Sequence, residues 1–558
     1  MQKLLKRTVV GVIVLVASLV INQLLNPEVT LAQMSGAAKL PVGKARLTLV
    51  MVLDGLRPDA INPTDTPNLH RLREEGVNYV NGHAVFPTVT RVNATAIGTG
   101  FYPSANGIVS NSMYVPEVNP TRSFSTGEYS DLLKLNEASG GQIVFTKTLG
   151  ETLQENGLKL SVVSSGSTGS AMLLNPRAVT NGVGGSVING YFDPGKVVAF
   201  PQDVSDAVLA RFGEAPPNKD TNKDGQYNEA VDWTQDVLRE YVLPELQPDV
   251  ILNWLTEPDN IQHATGANSP ASVNTIRNDD RNVGLVIDKL KQLGLEDKTD
   301  LFVVSDHGFG LENFTVNTSK ELIDAGLKSD PNSDDVVVAS SSQAVLLHVK
   351  NRDPERIQQI VKFLQQQDWF GVAFTAADRP GSASESVSRK SVNPQGWVEG
   401  TFSLDLIHQA NPERGADIIL TFPWTSQKNA FGVRGTDSIE RSTGVTGSRE
   451  GNLSGHGSMS PWNVRNTFFA WGVDFKRGVK VEAPASNVDL ASTILALKGV
   501  DSSKLDGRVL VESFRKAPKK VKAKTRYFTT VGPNGYKAII QVSTLGKQRY
   551  IDLSQRIS

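Results

Sequence analysis

Apolar residues in this chain follow two rhythms, short unbroken runs and stripes at helical spacing, and the two alternate. Residues 45–53 are nearly continuous in apolar, largely branched side chains. That is the pattern of a strand buried on both faces of a parallel sheet. Residues 158–164, 249–255 and 300–305 repeat it. Helical stretches lie between. Residues 66–76 have Thr66 as N-cap, Pro67 in the first turn and Gly76 as the stop. Residues 147–156, 274–293 and 488–497 are also helical, the second with Val283, Ile287, Leu290 and Leu293 on one stripe. Strands alternating with helices predict an α/β fold with a mostly parallel central sheet and helices on both faces.

Several stretches interrupt this alternation. Residues 165–245 are rich in Gly, Asn and Pro and read as an inserted cap. A second insert near 379–457 carries Ser- and Gly-rich loops. The main domain then spans 45–514. A basic linker follows at 515–526, and a small β tail runs to residue 558, with a turn at Gly532-Pro533-Asn534-Gly535. At the start, Lys3, Lys6 and Arg7 precede the apolar run 9–21, and Thr30-Leu31-Ala32 offers a cleavage site. Residues 1–32 are therefore a signal peptide or an uncleaved anchor. Either sends the chain out of the cytoplasm, to the periplasm or the exterior. The membrane is met only through this segment, if it is uncleaved.

Composition narrows the chemistry. The formal charge is −1 over 558 residues, which gives no basic field and no nucleic-acid-binding module. There is no cysteine, which excludes disulfides, thiolate metal sites and a cysteine nucleophile.

Asp54, Asp259 and Asp306 each follow a predicted strand. Ligand sites in open α/β sheets lie beyond the carboxyl ends of strands, so these distant acids can converge. Asp259 and His263 are four residues apart and can chelate one ion from a helical turn. Asp306 and His307 can share an ion if the chain bends sharply, which Gly308 would permit. His456 lies between Gly455 and Gly457, which allow close approach. Nitrogen and oxygen donors without sulfur suit zinc better than manganese or magnesium. Thr90 supplies a hydroxyl, a poor nucleophile until a base or metal takes its proton. His70, His83, His348 and His408 read as ordinary surface or core residues.

With these residues in place, the chain resembles the nucleotide pyrophosphatase/phosphodiesterases of the alkaline phosphatase superfamily. Residues 86–111 look like that family's nucleophile region. Asp54-Gly55, the Asp259/His263 pair, Ser305-Asp306-His307-Gly308 and Ser454-Gly455-His456-Gly457 follow in the family's order. The resemblance implies an alkaline-phosphatase-like sandwich. It also implies two divalent metal ions, zinc foremost. One would be held by Asp54, Asp306, His307 and Thr90, the other by Asp259, His263 and His456. Thr90 would attack phosphorus and form a phosphothreonine, with Asn111 donating a hydrogen bond to a nonbridging oxygen. The implied substrate is a small-molecule phosphoester.

The chain departs from the family at Arg91, where an aromatic residue is common. Arg91 either binds a further anionic oxygen or points outward to a surface acid. The first option favours a phosphomonoesterase or phosphonate hydrolase over a phosphodiesterase. The Cys-x-Pro-x-Arg or Ser-x-Pro-x-Arg motif of sulfatases is absent. Outside these classes stands a non-catalytic surface binding protein that kept the fold. Finally, Asp220, Asn222, Asp224 and Gln226 match half of a calcium loop, which Glu229 or Asp232 could close. The alternative is an Asn/Asp turn that binds nothing.

Overall fold

The computed structural model describes residues 42–190, 199–216, 228–381, 392–442, 445–448, 453–516 and 521–557. Nine strands of the central sheet are labelled here in chain order. They are β1 (Leu47–Leu53), β2 (Val77–Tyr79), β3 (Leu160–Ser164), β4 (Ser186–Asn189), β5 (Ala199–Phe200), β6 (Val250–Leu255), β7 (Thr299–Val304), β8 (Phe468–Gly472) and β9 (Val479–Val481). Their order across the sheet is β9-β2-β8-β7-β1-β6-β3-β4-β5. The five strands from β7 to β4 run parallel. β8 runs antiparallel to β7 and β2, and β5 antiparallel to β4.

β1 shows why the sheet takes helices on both faces. All seven of its residues are buried. Val50 and Val52 join one core, while Leu47, Leu49, Met51 and Leu53 join another. Successive side chains on a strand point to opposite faces, so a continuous apolar run needs two covers. The first core takes Ala94 and Ile97 from α2 (Thr90–Thr99) and Leu490 and Ile494 from α5 (Asp489–Leu497). The second takes Leu69 and Leu72 from α1 (Pro67–Glu75), and Ile276, Val283, Val286 and Leu290 from α4 (Pro270–Gln292). α1 begins at Pro67 and stops at Gly76, as the sequence predicts. Leu293 falls just past the end of α4 and is exposed rather than on its buried stripe.

The stretch 165–245, expected to be an insert, contributes β4 and β5 to the edge of the central sheet. These strands are short and take their shape from pairing, β4 with β3 and β5 with β4, which their own sequence does not announce. Two five-stranded sheets are built largely from residues 310–455. The tail forms a three-stranded antiparallel sheet, with Pro533–Gly535 at its first turn. Buried hydrogen bonds fasten it to the body. His83 Nε2 meets Asp552 Oδ1 at 2.9 Å, and the Tyr550 hydroxyl donates to Asp489 Oδ2 at 3.0 Å.

Register sets the position of the site. Leu53 lies opposite Leu255, and Val52 opposite Val304. The three central strands β7, β1 and β6 therefore end together, and the chain that follows each emerges at one edge.

Candidate active site

Asp54 and Asp306 occupy equivalent positions, two residues beyond the paired Val52 and Val304. Asp259 and His263 lie on α3 (Asp259–Thr265), the helix that follows β6, and their spacing brings both to one face. His456 comes from the loop after the bridge that pairs Gly455 with Gly310. The distances are short. Asp259 Oδ1 lies 3.5 Å from His263 Nε2, 3.4 Å from His456 Nε2 and 3.9 Å from His307 Nε2. His307 Nε2 lies 3.4 Å from Asp54 Oδ1 and 3.1 Å from Asp306 Oδ2.

Two donor sets result, Asp259–His263–His456 and Asp54–Asp259–His307, each with ligand atoms within 4.8 Å of one another. The first coincides with one set implied by the family resemblance. In the second, Asp259 stands where Asp306 was expected, because its Oδ1 sits between all three imidazoles. Asp306 adjoins that set through His307.

The three histidines share one arrangement. Nδ1 of His263, His307 and His456 lies 2.9, 3.0 and 2.9 Å from the carbonyls of Ser454, Gly308 and Thr88. A carbonyl only accepts, so each Nδ1 carries a proton and each Nε2 is the atom turned toward the acids. Histidine metal ligands are fixed in this way.

The remaining polar atoms fit a cation. Asp54 Oδ1, Asp259 Oδ1, Asp306 Oδ2 and His307 Nε2 are all buried without a hydrogen-bond partner. An unpartnered buried polar atom is costly, and four of them converge here. Burial, then the charges of Asp306 and Asp259, hold Asp54 well above the usual carboxylate range. Burial likewise pushes His456 well down, which favours its neutral form. Like charges crowded in a dry pocket are relieved by a cation.

Gly308 does not serve the bend as expected. It is absent from the positive-φ glycines, and a Cβ there would lie 2.0 Å from the Trp462 carbonyl oxygen. Close backbone approach, rather than backbone conformation, demands glycine. Gly457 has φ +119°, and a Cβ on it would lie 2.5 Å from the Ser341 carbonyl.

Thr90 opens α2 and is buried. The segment before it is clamped to His456, since Thr88 bridges Gly457 and its carbonyl takes the His456 proton. The Arg91 backbone N–H donates to Asn111 Oδ1 at 2.9 Å. Arg91 Nε is buried without a partner, and its guanidinium lies against Gly127.

Sequence reasoning missed Trp254, whose Nε1–H donates to Asp54 Oδ2 at 3.1 Å. A tryptophan within a buried strand was the available signal, since its N–H needs a partner. It also missed Asn487, which donates to the Asp306 carbonyl at 3.0 Å. His83, His348 and His408 lie outside the cluster. His408 stacks on Tyr102 with ring centroids 3.8 Å apart, and burial holds its pKa down at about 3.

Asp220, Asn222, Asp224 and Gln226 of the calcium-like loop lie outside the described residues, as do residues 1–32. Glu229 sits at the start of the helix Asn228–Val237. Asp232, on that helix, accepts hydrogen bonds from Asn278, Arg281 and Asn282. Among the described residues no helix is long and apolar enough to cross a membrane.

Residues 48–420 match the family described as type I phosphodiesterase/nucleotide pyrophosphatase. Venom phosphodiesterase 2 of Crotalus adamanteus is 27% identical over 278 residues, which make up 49% of this chain and 28% of that protein. Ectonucleotide pyrophosphatase/phosphodiesterase family member 1 of Mus musculus is 27% identical over 264 residues, 47% of this chain and 24% of that protein. The match thus spans about a quarter of the length of these curated relatives. In fold, the chain is similar to human ectonucleotide pyrophosphatase/phosphodiesterase 5. The TM-score is 0.54 at 18% identity, covering 83% of this chain and 97% of that chain.

Proposed function

The chain belongs to the type I phosphodiesterase/nucleotide pyrophosphatase family, and from that premise we propose an exported, metal-dependent phosphoester hydrolase with Thr90 as nucleophile. Its substrate is a small-molecule phosphodiester or nucleotide-like pyrophosphate. The observation that carries this reading is the spacing of the donors. Asp259 Oδ1 stands 3.5 and 3.4 Å from two imidazole nitrogens, and Asp54 Oδ1 stands 3.4 Å from a third. Ligands about 2.1 Å from one tetrahedral zinc stand about 3.4 Å from each other. Asp54, Asp306, His307 and Thr90 would hold one cation, and Asp259, His263 and His456 the other.

When bound, the two cations lower the pKa of a hydroxyl and stabilise charge on the leaving oxygen. The protein's own groups supply the rest. Thr90 Oγ attacks phosphorus, the bond from phosphorus to the leaving oxygen breaks, and that oxygen departs with the electron pair and takes up a proton. For a diester this leaves an esterified phosphothreonine. Water then attacks the same phosphorus, and Thr90 Oγ leaves and regains its proton. Asn111 presents its amide N–H groups to a nonbridging oxygen, because its Oδ1 is already engaged by the Arg91 N–H.

Acid quenching during turnover of bis(p-nitrophenyl) phosphate tests this. Mass spectrometry should find a phosphoryl adduct on the peptide carrying Thr90. Thr90→Ala should lack the adduct and lose about 10³-fold or more in turnover while retaining its metal. Normal turnover in Thr90→Ala would remove Thr90 from the reaction. Absence of turnover from fully loaded wild type would favour the binding-protein alternative.

A further inference from the structure

Arg91 directly follows the proposed nucleophile, and its buried Nε has no hydrogen-bond partner among the described residues. It stands on the first turn of α2, directly after Thr90. Its backbone N–H is committed to Asn111 Oδ1. Its side chain turns inward beneath Gly127, where a Cβ would come within 3.3 Å of Nη2. Glycine there gives the guanidinium room. Nε is buried and makes no hydrogen bond. Asp54, Asp259 and Asp306 are the foremost acids acting on it, through space. The guanidinium thus stands next to Thr90 in the chain, within the field of the cluster's acids and with its Nε–H unused. A buried N–H without an acceptor, such as this Nε, is costly.

The phosphoryl group offers an acceptor. A diester has two nonbridging oxygens. On the reading above, Asn111 takes one of them, and the cations would offset the charge of the other. A monoester dianion has a third. An arginine fork suits such an oxygen in geometry and charge. We propose that Arg91 binds the third nonbridging oxygen of a phosphomonoester dianion, so that this one site hydrolyses monoesters as well as diesters. In the monoester reaction Thr90 Oγ bonds to phosphorus and the alcohol leaves with the electron pair and a proton. Water then releases inorganic phosphate and restores Thr90. The inference rests on the phosphoester-hydrolase reading and adds a second substrate class to it.

The test compares p-nitrophenyl phosphate with bis(p-nitrophenyl) phosphate on zinc-loaded wild type, Arg91→Ala and Arg91→Lys. Calorimetry of inorganic phosphate binding to the same proteins accompanies it. Wild type should turn over both esters. In Arg91→Ala the monoester-to-diester ratio of kcat/KM should fall about 10- to 100-fold, the effect of losing one charge-assisted hydrogen bond. Phosphate binding should weaken by a similar factor. Arg91→Lys, which keeps the charge and loses the fork, should fall between. Equal losses on both esters would overturn the proposal, as would unchanged phosphate binding. Wild type that turns over only the diester would overturn it while leaving the hydrolase reading intact. Wild type that turns over neither would overturn both.

Discussion

Trp254 Nε1 donates to Asp54 Oδ2 at 3.1 Å, and this places an indole behind a candidate metal ligand. Trp254 is fully buried on β6, opposite Val52 of β1, one strand away from the carboxylate it holds. The bond fixes the plane of the Asp54 carboxylate. It leaves Oδ1 without a partner and 3.4 Å from His307 Nε2. Groups that hold a metal ligand from behind govern its affinity nearly as much as the ligand itself.

Trp254→Phe should therefore keep the fold and weaken zinc. The ring still fills the core, but the N–H is lost. Competition with a chromogenic chelator should show zinc held about 10- to 100-fold more weakly. Unchanged affinity would mean that Asp54 is oriented by the chain around it, through its own N–H to the Leu255 carbonyl.

The geometry of the site was partly legible in the sequence. Asp54 and Asp306 could be read because each ends an unbroken apolar run, and parallel register carries both to one sheet edge. Asp259 and His263 could be read because their spacing is helical. The partition of ligands came from the family resemblance alone, since spacing does not show which imidazoles approach Asp259 Oδ1. The direction of Arg91 could not be read. A helix's first turn can send a long side chain inward or outward, and here the guanidinium lies against Gly127, thirty-six residues away. Asp552 also stayed hidden. Its pairing with His83 links residues 469 apart, and no periodicity reports that. The strands β4 and β5 escaped because they are brief and owe their form to a neighbour.

A pH test falls on Asp300, away from the site. It lies in β7 with Oδ1 accepting from the Asp474 N–H and Oδ2 buried without a partner. Burial raises its pKa to about 8. In the unfolded chain an aspartate titrates near ~3.9. The folded state thus keeps a proton that the unfolded state releases between these values. Its contribution to stability is complete below about pH 4 and declines as pH rises toward 8, at up to about 1.4 kcal/mol per pH unit. Asp300→Asn should flatten that decline. Urea unfolding of both proteins at pH 5 and pH 8 measures it. The variant should gain on wild type as pH rises, and parallel pH profiles would show that Asp300 is ionised in the fold at little cost.

The central claim is that the cluster around Asp259 Oδ1 holds the cations that make Thr90 a nucleophile. Zinc titration into metal-stripped protein, followed by bis(p-nitrophenyl) phosphate hydrolysis, tests it most directly. The stripped protein should be inactive, and activity should return and level off near about two equivalents of zinc. Full turnover by the stripped protein would contradict the account.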